Sequence, residues 1–227
     1  GYVDFRQDIG SWLAFNAGVR ADHHEQVGTE WIPQAGLAFL LPRDANIKLT
    51  ASRGFRYPTL REMYMFPPQN PDLKPESMWN YEIAFSQELL EGRLSYGANL
   101  FYIDGKNLIM TLPNPHGSGR INQNSGKIDN SGVEAQAAYR ISKSWAANAN
   151  YSFLHMERPV ISAPEHKLYV GGSFTQGRWD LSTGIQYIKG LYTEVSTNDN
   201  GKQEDFVLWN IRGSFRATNF LDIYVRG

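Results

Sequence analysis

Four stretches of this chain alternate apolar and polar residues for a whole strand length, and a period of two fixes a strand with two unlike faces. In 77–87, Trp79, Tyr81, Ile83 and Phe85 alternate with Met78, Asn80, Glu82, Ala84 and Ser86. In 145–153, Trp145, Ala147, Ala149, Tyr151 and Phe153 alternate with Ala146, Asn148, Asn150 and Ser152. Trp179, Leu181, Thr183, Ile185 and Tyr187 alternate with Asp180, Ser182, Gly184 and Gln186. Val133, Ala135, Ala137 and Tyr139 alternate with Glu134, Gln136, Ala138 and Arg140. The apolar side is rimmed by aromatics, and the other side is small and hydrophilic. That pattern predicts strands with hydrocarbon on one flank and a wet or filled interior on the other.

Composition is compatible with this reading and removes several others. The 227 residues carry a formal net charge of −1, without the basic excess that a nucleic-acid surface needs. Mean hydropathy is −0.45. No stretch approaches the roughly 18 apolar residues of a membrane helix. Alternating strands average to such a value, because the two faces cancel along each strand. Without a cysteine, disulfides, thiolate metal sites and thiol nucleophiles are excluded. The chain starts at Gly1 rather than Met and stops at Gly227 inside a strand pattern, which reads as a fragment of a larger protein.

Strand-like segments fall at about 2–9, 12–23, 30–41, 46–55, 77–89, 93–110, 120–140, 145–155, 166–175, 178–192, 205–216 and 220–227. The fold class is therefore all-β, an antiparallel up-and-down meander of about twelve strands. Its connections alternate: short turns near 10, 43, 91, 142, 176 and 218, long ones at 24–29, 56–76, 111–119, 156–165 and 193–204. Such a meander has two unlike ends, with short turns at the periplasmic end of an outer-membrane barrel and long loops outside. Tyr139, Trp145 and Trp179 lie beside short turns, and Phe153 and Tyr187 lie eight residues further on. Eight residues at about 3.3 Å each span roughly 26 Å of strand. Tilted by about 45°, that projects to roughly 19 Å, near the ~25 Å apolar band between two aromatic girdles.

The segment Gly54-Phe55-Arg56-Tyr57-Pro58, followed by Asn70-Pro71-Asp72-Leu73-Lys74-Pro75-Glu76, resembles the paired corners that flank an outer loop in the barrels of TonB-dependent outer-membrane receptors. Asn130-Ser131-Gly132-Val133-Glu134, then 163–168 and Gln186-Tyr187, continue the likeness in order, so that it covers nearly the whole chain. The resemblance implies one part of a 22-stranded transmembrane β-barrel around a plugged lumen. It also implies that the plug domain, the first barrel strands and the final strand lie outside residues 1–227. Its function would be import of a scarce metal chelate or vitamin, such as a ferric siderophore, haem or cobalamin. TonB, reached through the plug, and outer-membrane lipid would be its partners. A passive porin-type channel is the alternative, and it has no reason to carry the corner pair.

Proline at 58, 67, 68, 71 and 75 keeps the corner segment out of the sheet. Leu60, Met63 and Tyr64 have the spacing of one helical turn under the loop. Candidate ligand contacts are Arg56 and Arg120, suited to anionic chelates, with Tyr57, Tyr64 and Phe66 as aromatic partners. Loop self-packing is the competing role for the aromatics, and plug contact is the role favoured for Arg140. Five histidines match no metal spacing, and His166 sits in a Pro-x-His corner. Asp199-Asn200-Gly201 with Glu204 and Asp205 resembles part of a calcium loop but lacks the ligand ladder, so a hairpin loop explains it better. No Ser/His/Asp set, carboxylate pair or metal cluster forms a convincing catalytic site, and no cofactor is expected.

Overall fold

A computed structural model describes residues 1–65, 67–194 and 201–227. Twelve strands form one antiparallel sheet in chain order. They are β1 (Tyr2–Ile9), β2 (Leu13–His24), β3 (Gly28–Leu41), β4 (Ala45–Arg56), β5 (Glu76–Leu89), β6 (Leu94–Pro113), β7 (Arg120–Arg140), β8 (Trp145–Met156), β9 (Pro164–Gln176), β10 (Trp179–Glu194), β11 (Lys202–Arg216) and β12 (Asp222–Arg226). A π-helical turn, Arg61–Met65, interrupts the longest connection. The backbone contacts group into two compact units. One comprises Gly1–Leu40, Lys48–Ile83 and Phe101–Ser131; the other comprises Leu41–Ile47, Ala84–Leu100 and Gly132–Gly227.

The expected meander is present, with corrections at the long-loop ends. The connection expected over 24–29 contracts to 25–27, because β3 already begins at Gly28. β9 begins at Pro164, inside the expected loop 156–165, and β10 reaches Glu194. Beyond the apolar band both faces of a strand meet water, so alternation stops marking strand there although the backbone ladder continues.

In the second unit the register confirms which residues share a face. Trp145, Ala149, Tyr151 and Phe153 of β8 pair with Phe174, Val170, Leu168 and His166 of β9. These continue to Leu181, Ile185, Tyr187 and Lys189 of β10. Near the short turns, aromatic rings meet across strands: Trp145 and Phe174 at 4.7 Å, Trp179 and Phe215 at 4.6 Å between centroids. In the first unit Trp12 and Phe39 pair likewise at 6.4 Å. Further along the apolar face, Trp79, Tyr81 and Tyr102 form a stacked row.

Asn148, Gly171, Gly184 and Asn210 lie in one row on the opposite face. The Tyr169 ring lies across both glycines. A Cβ on Gly184 would come within 2.5–2.8 Å of the Tyr169 hydroxyl oxygen and two of its ring carbons. A cavity of about 340 Å³ is bordered by Ser86, Gly97, Asn99, Glu134, Gln136 and Asn150.

No large side chain among the described residues is fully buried, and the buried apolar set is small: Ala45, Met63, Leu73, Ile188 and Tyr192. Ile185 is 50% exposed and Trp209 67% exposed. A soluble sandwich would have put such residues between layers; here they form a continuous apolar face. The sheet therefore has no dry centre and needs hydrocarbon against one side.

Candidate functional site

The 57–75 connection is held at its root by one arginine and two carboxylates. Arg56 ends β4 and Glu76 begins β5, so the corner brings them together across the base of the loop. Arg56 donates from Nη1 and Nη2 to the two Glu62 oxygens at 2.9 and 3.0 Å, and from Nε to Glu76 Oε2 at 2.7 Å. The rigid guanidinium fork makes this three-bond arrangement possible. Thr59-Leu60-Arg61-Glu62 is a capping box: the Thr59 amide and hydroxyl donate to Glu62 Oε2, and the Glu62 amide donates back to Thr59 Oγ1. The second oxygen of Glu76 accepts the Ile109 amide of β6 at 2.8 Å. That amide lies just past Asn107, whose φ of 60° marks a break in the regular strand.

Two asparagines of β7 tie down the rest. Asn122 donates to the Glu62 carbonyl at 2.8 Å, and its own carbonyl accepts Asn70 Nδ2 at 2.7 Å. Asn124 accepts the Lys74 amide and donates to the carbonyls of Lys74 and Asn107. Both belong to the even-numbered side of β7, the side that alternation assigns to the polar face. The loop thus folds over the polar face of the projecting hairpin. Met63 and Leu73, 2% and 3% exposed, fill the space beneath it.

The expected single turn is present, but as a π-turn and with only Met63 inward. Leu60, Tyr64 and Met65 remain exposed. In a π-turn, residues four and five apart share a side, which sets these three together and Met63 away from them.

The candidate contacts divide by place. Arg56 is occupied by Glu62 and Glu76. The Tyr57 hydroxyl reaches the carbonyls of Asp22 (3.1 Å) and Gly28 (3.4 Å), and its ring lies 5.0 Å from that of His24. Arg120 donates to the Thr111 carbonyl across the β6–β7 hairpin and stays exposed. Tyr64 is exposed on the π-turn. Phe66 lies outside the described residues, as do Asp199 and Asn200 of the supposed calcium loop. Asp205, from the same loop, accepts the Gly190 amide at 2.7 Å. His166 is held by Tyr151, its Nδ1 2.8 Å from the hydroxyl. Sequence reasoning overlooked Glu62, Glu76, Asn122 and Asn124. The Thr-x-x-Glu spacing was a visible signal for Glu62; nothing local marks the asparagines, whose partners lie 50 to 60 residues away.

The hydrogen bonds from Arg56, reinforced by those from Thr59, hold the Glu62 carboxyl down from the ordinary 4.5 to about 2. A lowered acid stabilises the folded corner above its unfolded value and loses that contribution as pH falls through the folded one. The latch should therefore hold down to about pH 4.5 and weaken between there and pH 2. A nitroxide on Asp72→Cys in the detergent-solubilised receptor checks this, since residues 1–227 carry no other cysteine. Its mobility should be flat from pH 7 to 5 and rise below pH 4.5; a rise already at pH 6 would contradict the assignment.

A family model for "TonB dependent receptor-like, beta-barrel" matches residues 1–227. Vitamin B12 transporter BtuB of Photobacterium profundum is 25% identical over 227 residues, covering 95% of this chain and 36% of that protein. The iron-regulated outer membrane virulence protein of Vibrio cholerae is 25% identical over 236 residues, covering 91% and 36%. The chain thus spans little more than a third of the length of these relatives. Among solved structures, a ferric enterobactin receptor variant from Pseudomonas aeruginosa in complex with enterobactin superposes with a TM-score of 0.81 at 17% identity, over 99% of this chain and 38% of that one. Copper transporter OprC gives 0.74 at 12% identity, over 98% and 40%. At such identities these two speak for the fold alone. The apolar face, the corner pair and a match along the full chain converge: the chain belongs to the TonB-dependent receptor β-barrel family of the Gram-negative cell outer membrane.

Proposed function

We propose that this chain forms part of the wall and outer mouth of a receptor that imports a scarce metal chelate or vitamin: a ferric siderophore, haem or cobalamin. The observation that carries the proposal is the family match over residues 1–227. It is supported by relatives named as a vitamin B12 transporter and an iron-regulated outer membrane protein. In this reading the energy comes from TonB through a plug domain inside the barrel. Arg56 and Tyr57 are positioning residues that fix the loop over the lumen side. Tyr64 and Arg120, both exposed, contact the ligand together with Phe66. The relatives lend the passive-channel alternative no support.

Uptake assays on a strain lacking the gene separate these readings. Labelled cobalamin, haem and a panel of ferric siderophores are supplied with TonB present and absent. At least one cargo should enter only when both the receptor and TonB are present. Receptor-dependent entry at the same rate without TonB would make the protein a passive channel.

A further inference from the structure

On the polar face of β11 and β12, two arginines are opposed where strand geometry brings side chains closest. Ile211 and Gly227 exchange both backbone hydrogen bonds at 3.0 Å. The adjoining pair in register, Arg212 and Arg226, is therefore a non-hydrogen-bonded pair, with Cα atoms about 4.5 Å apart. Like charges directly opposite each other destabilise a strand pair. Both side chains border one cavity of about 360 Å³, together with Tyr224. Their chain neighbours Ile211 and Val225 are exposed on the apolar face, so alternation sends the arginines to the lumen side.

Their depth sets them apart from the mouth. Arg212 lies four residues before Arg216, where β11 ends at a short turn. Four residues are about 13 Å of strand, or about 9 Å along the membrane normal at a ~45° tilt, well inside the ~25 Å apolar band. Ionisable side chains at bilayer depth face an interior, where they pair with each other or mark the path of a charged solute. Neither guanidinium has an ion pair or a side-chain hydrogen bond among the described residues. The nearby carboxylates are engaged elsewhere. Arg216 holds Asp222 at 3.5 Å, and Asp180, opposite Ser214, accepts the Thr175 hydroxyl at 3.2 Å. Across from Arg212 stands Ser182, and beyond it Ser173, both hydroxyls. Two guanidinium forks side by side fit one carboxylate or phosphate group, which accepts from both and cancels their repulsion.

We infer that Arg212 and Arg226 together grip an oxyanion of the cargo on the lumen wall, below the mouth, so that the cargo is an anionic chelate; this rests on the import reading above. The full-length receptor in detergent is treated with phenylglyoxal, which labels free guanidinium groups, and each arginine is read by peptide mass spectrometry. Both should be labelled in the absence of anion and protected by inorganic phosphate. Arg93, in the β5–β6 turn, should be labelled in both conditions. Arg226→Gln should raise the phosphate concentration that half-protects Arg212 about tenfold, the effect of losing one charge-assisted contact. A heat-modifiability gel confirms that the variant is folded. In the uptake panel, Arg226→Gln should slow entry of the cargo several-fold at saturation and leave its binding at the cell surface unchanged. Labelling that phosphate does not alter overturns the inference. So does absence of labelling in both conditions, since another part of the receptor would then cover the pair. Phosphate protection with unchanged entry, or a cargo without negative charge, removes the cargo as the source of the anion and overturns it too. Entry at the same rate without TonB would sink the import reading and the cargo's role with it, whereas protection by phosphate would still report the anion site.

Discussion

Replacing Glu76 with alanine is expected to free the 57–75 loop while leaving the sheet intact. The substitution removes two acceptors at once, one from Arg56 Nε and one from the Ile109 amide. An unmet donor costs roughly 1–3 kcal/mol where water is excluded. The Arg56 side chain is 45% exposed, so solvent screens its share and the Ile109 amide dominates the loss. About 1–2 kcal/mol is the expected local destabilisation. Glu76→Gln keeps an oxygen for Ile109 and should lose less. Limited proteolysis of the purified receptor reads the effect directly. Cleavage within 57–75 should accelerate several-fold in the alanine variant, with the global unfolding midpoint little changed. Because both substitutions remove the same Arg56–Glu76 bond, adding Arg56→Met should produce less than the sum of the single losses. Unaltered protease resistance in Glu76→Ala would show that the asparagines alone hold the loop.

Gly97→Ala should act on the sheet rather than on the loop. A Cβ at this position would sit 2.7 Å from the Phe85 carbonyl oxygen, a backbone atom that cannot swing aside. Relief requires parting β5 from β6, and overpacking of this kind costs about 1–3 kcal/mol. Gly172→Ala is the matched comparison, because a Cβ there would meet the Ala146 oxygen only at 3.9 Å. Guanidinium unfolding in detergent should place the Gly97 variant clearly below the parent and the Gly172 variant within error of it. Equal midpoints for the two would mean that the strand pair yields at no cost.

Much of this was legible in the residue order. Alternation at 145–153 and 179–187 identified which side chains share a face, and the registers agree. It could do so because hydrocarbon on one side and water on the other impose opposite chemistry on neighbouring positions. The signal fails where that contrast ends. Pro164 and Lys202 lie in strands that run beyond the apolar band, and their sequence carries no alternating mark. It fails again at Asn107 and Gly190, where a left-handed residue interrupts the regular strand. In the corner, Arg56 was singled out for its charge, but its charge is engaged by Glu62 and Glu76. Only folding puts Glu76, twenty residues away, within reach.

The unusual length of β6 and β7 has a mechanical side. Twenty residues at ~3.3 Å and a ~45° tilt rise about 47 Å, so roughly 20 Å of this hairpin stands beyond the ~25 Å apolar band. Ile109, Asn122 and Asn124 are in that raised part, and each grips the neighbouring corner. The hairpin is accordingly a post to which the rim of the mouth is tethered. An object that grasps its tip at 114–119 pulls on the corner through the same three residues.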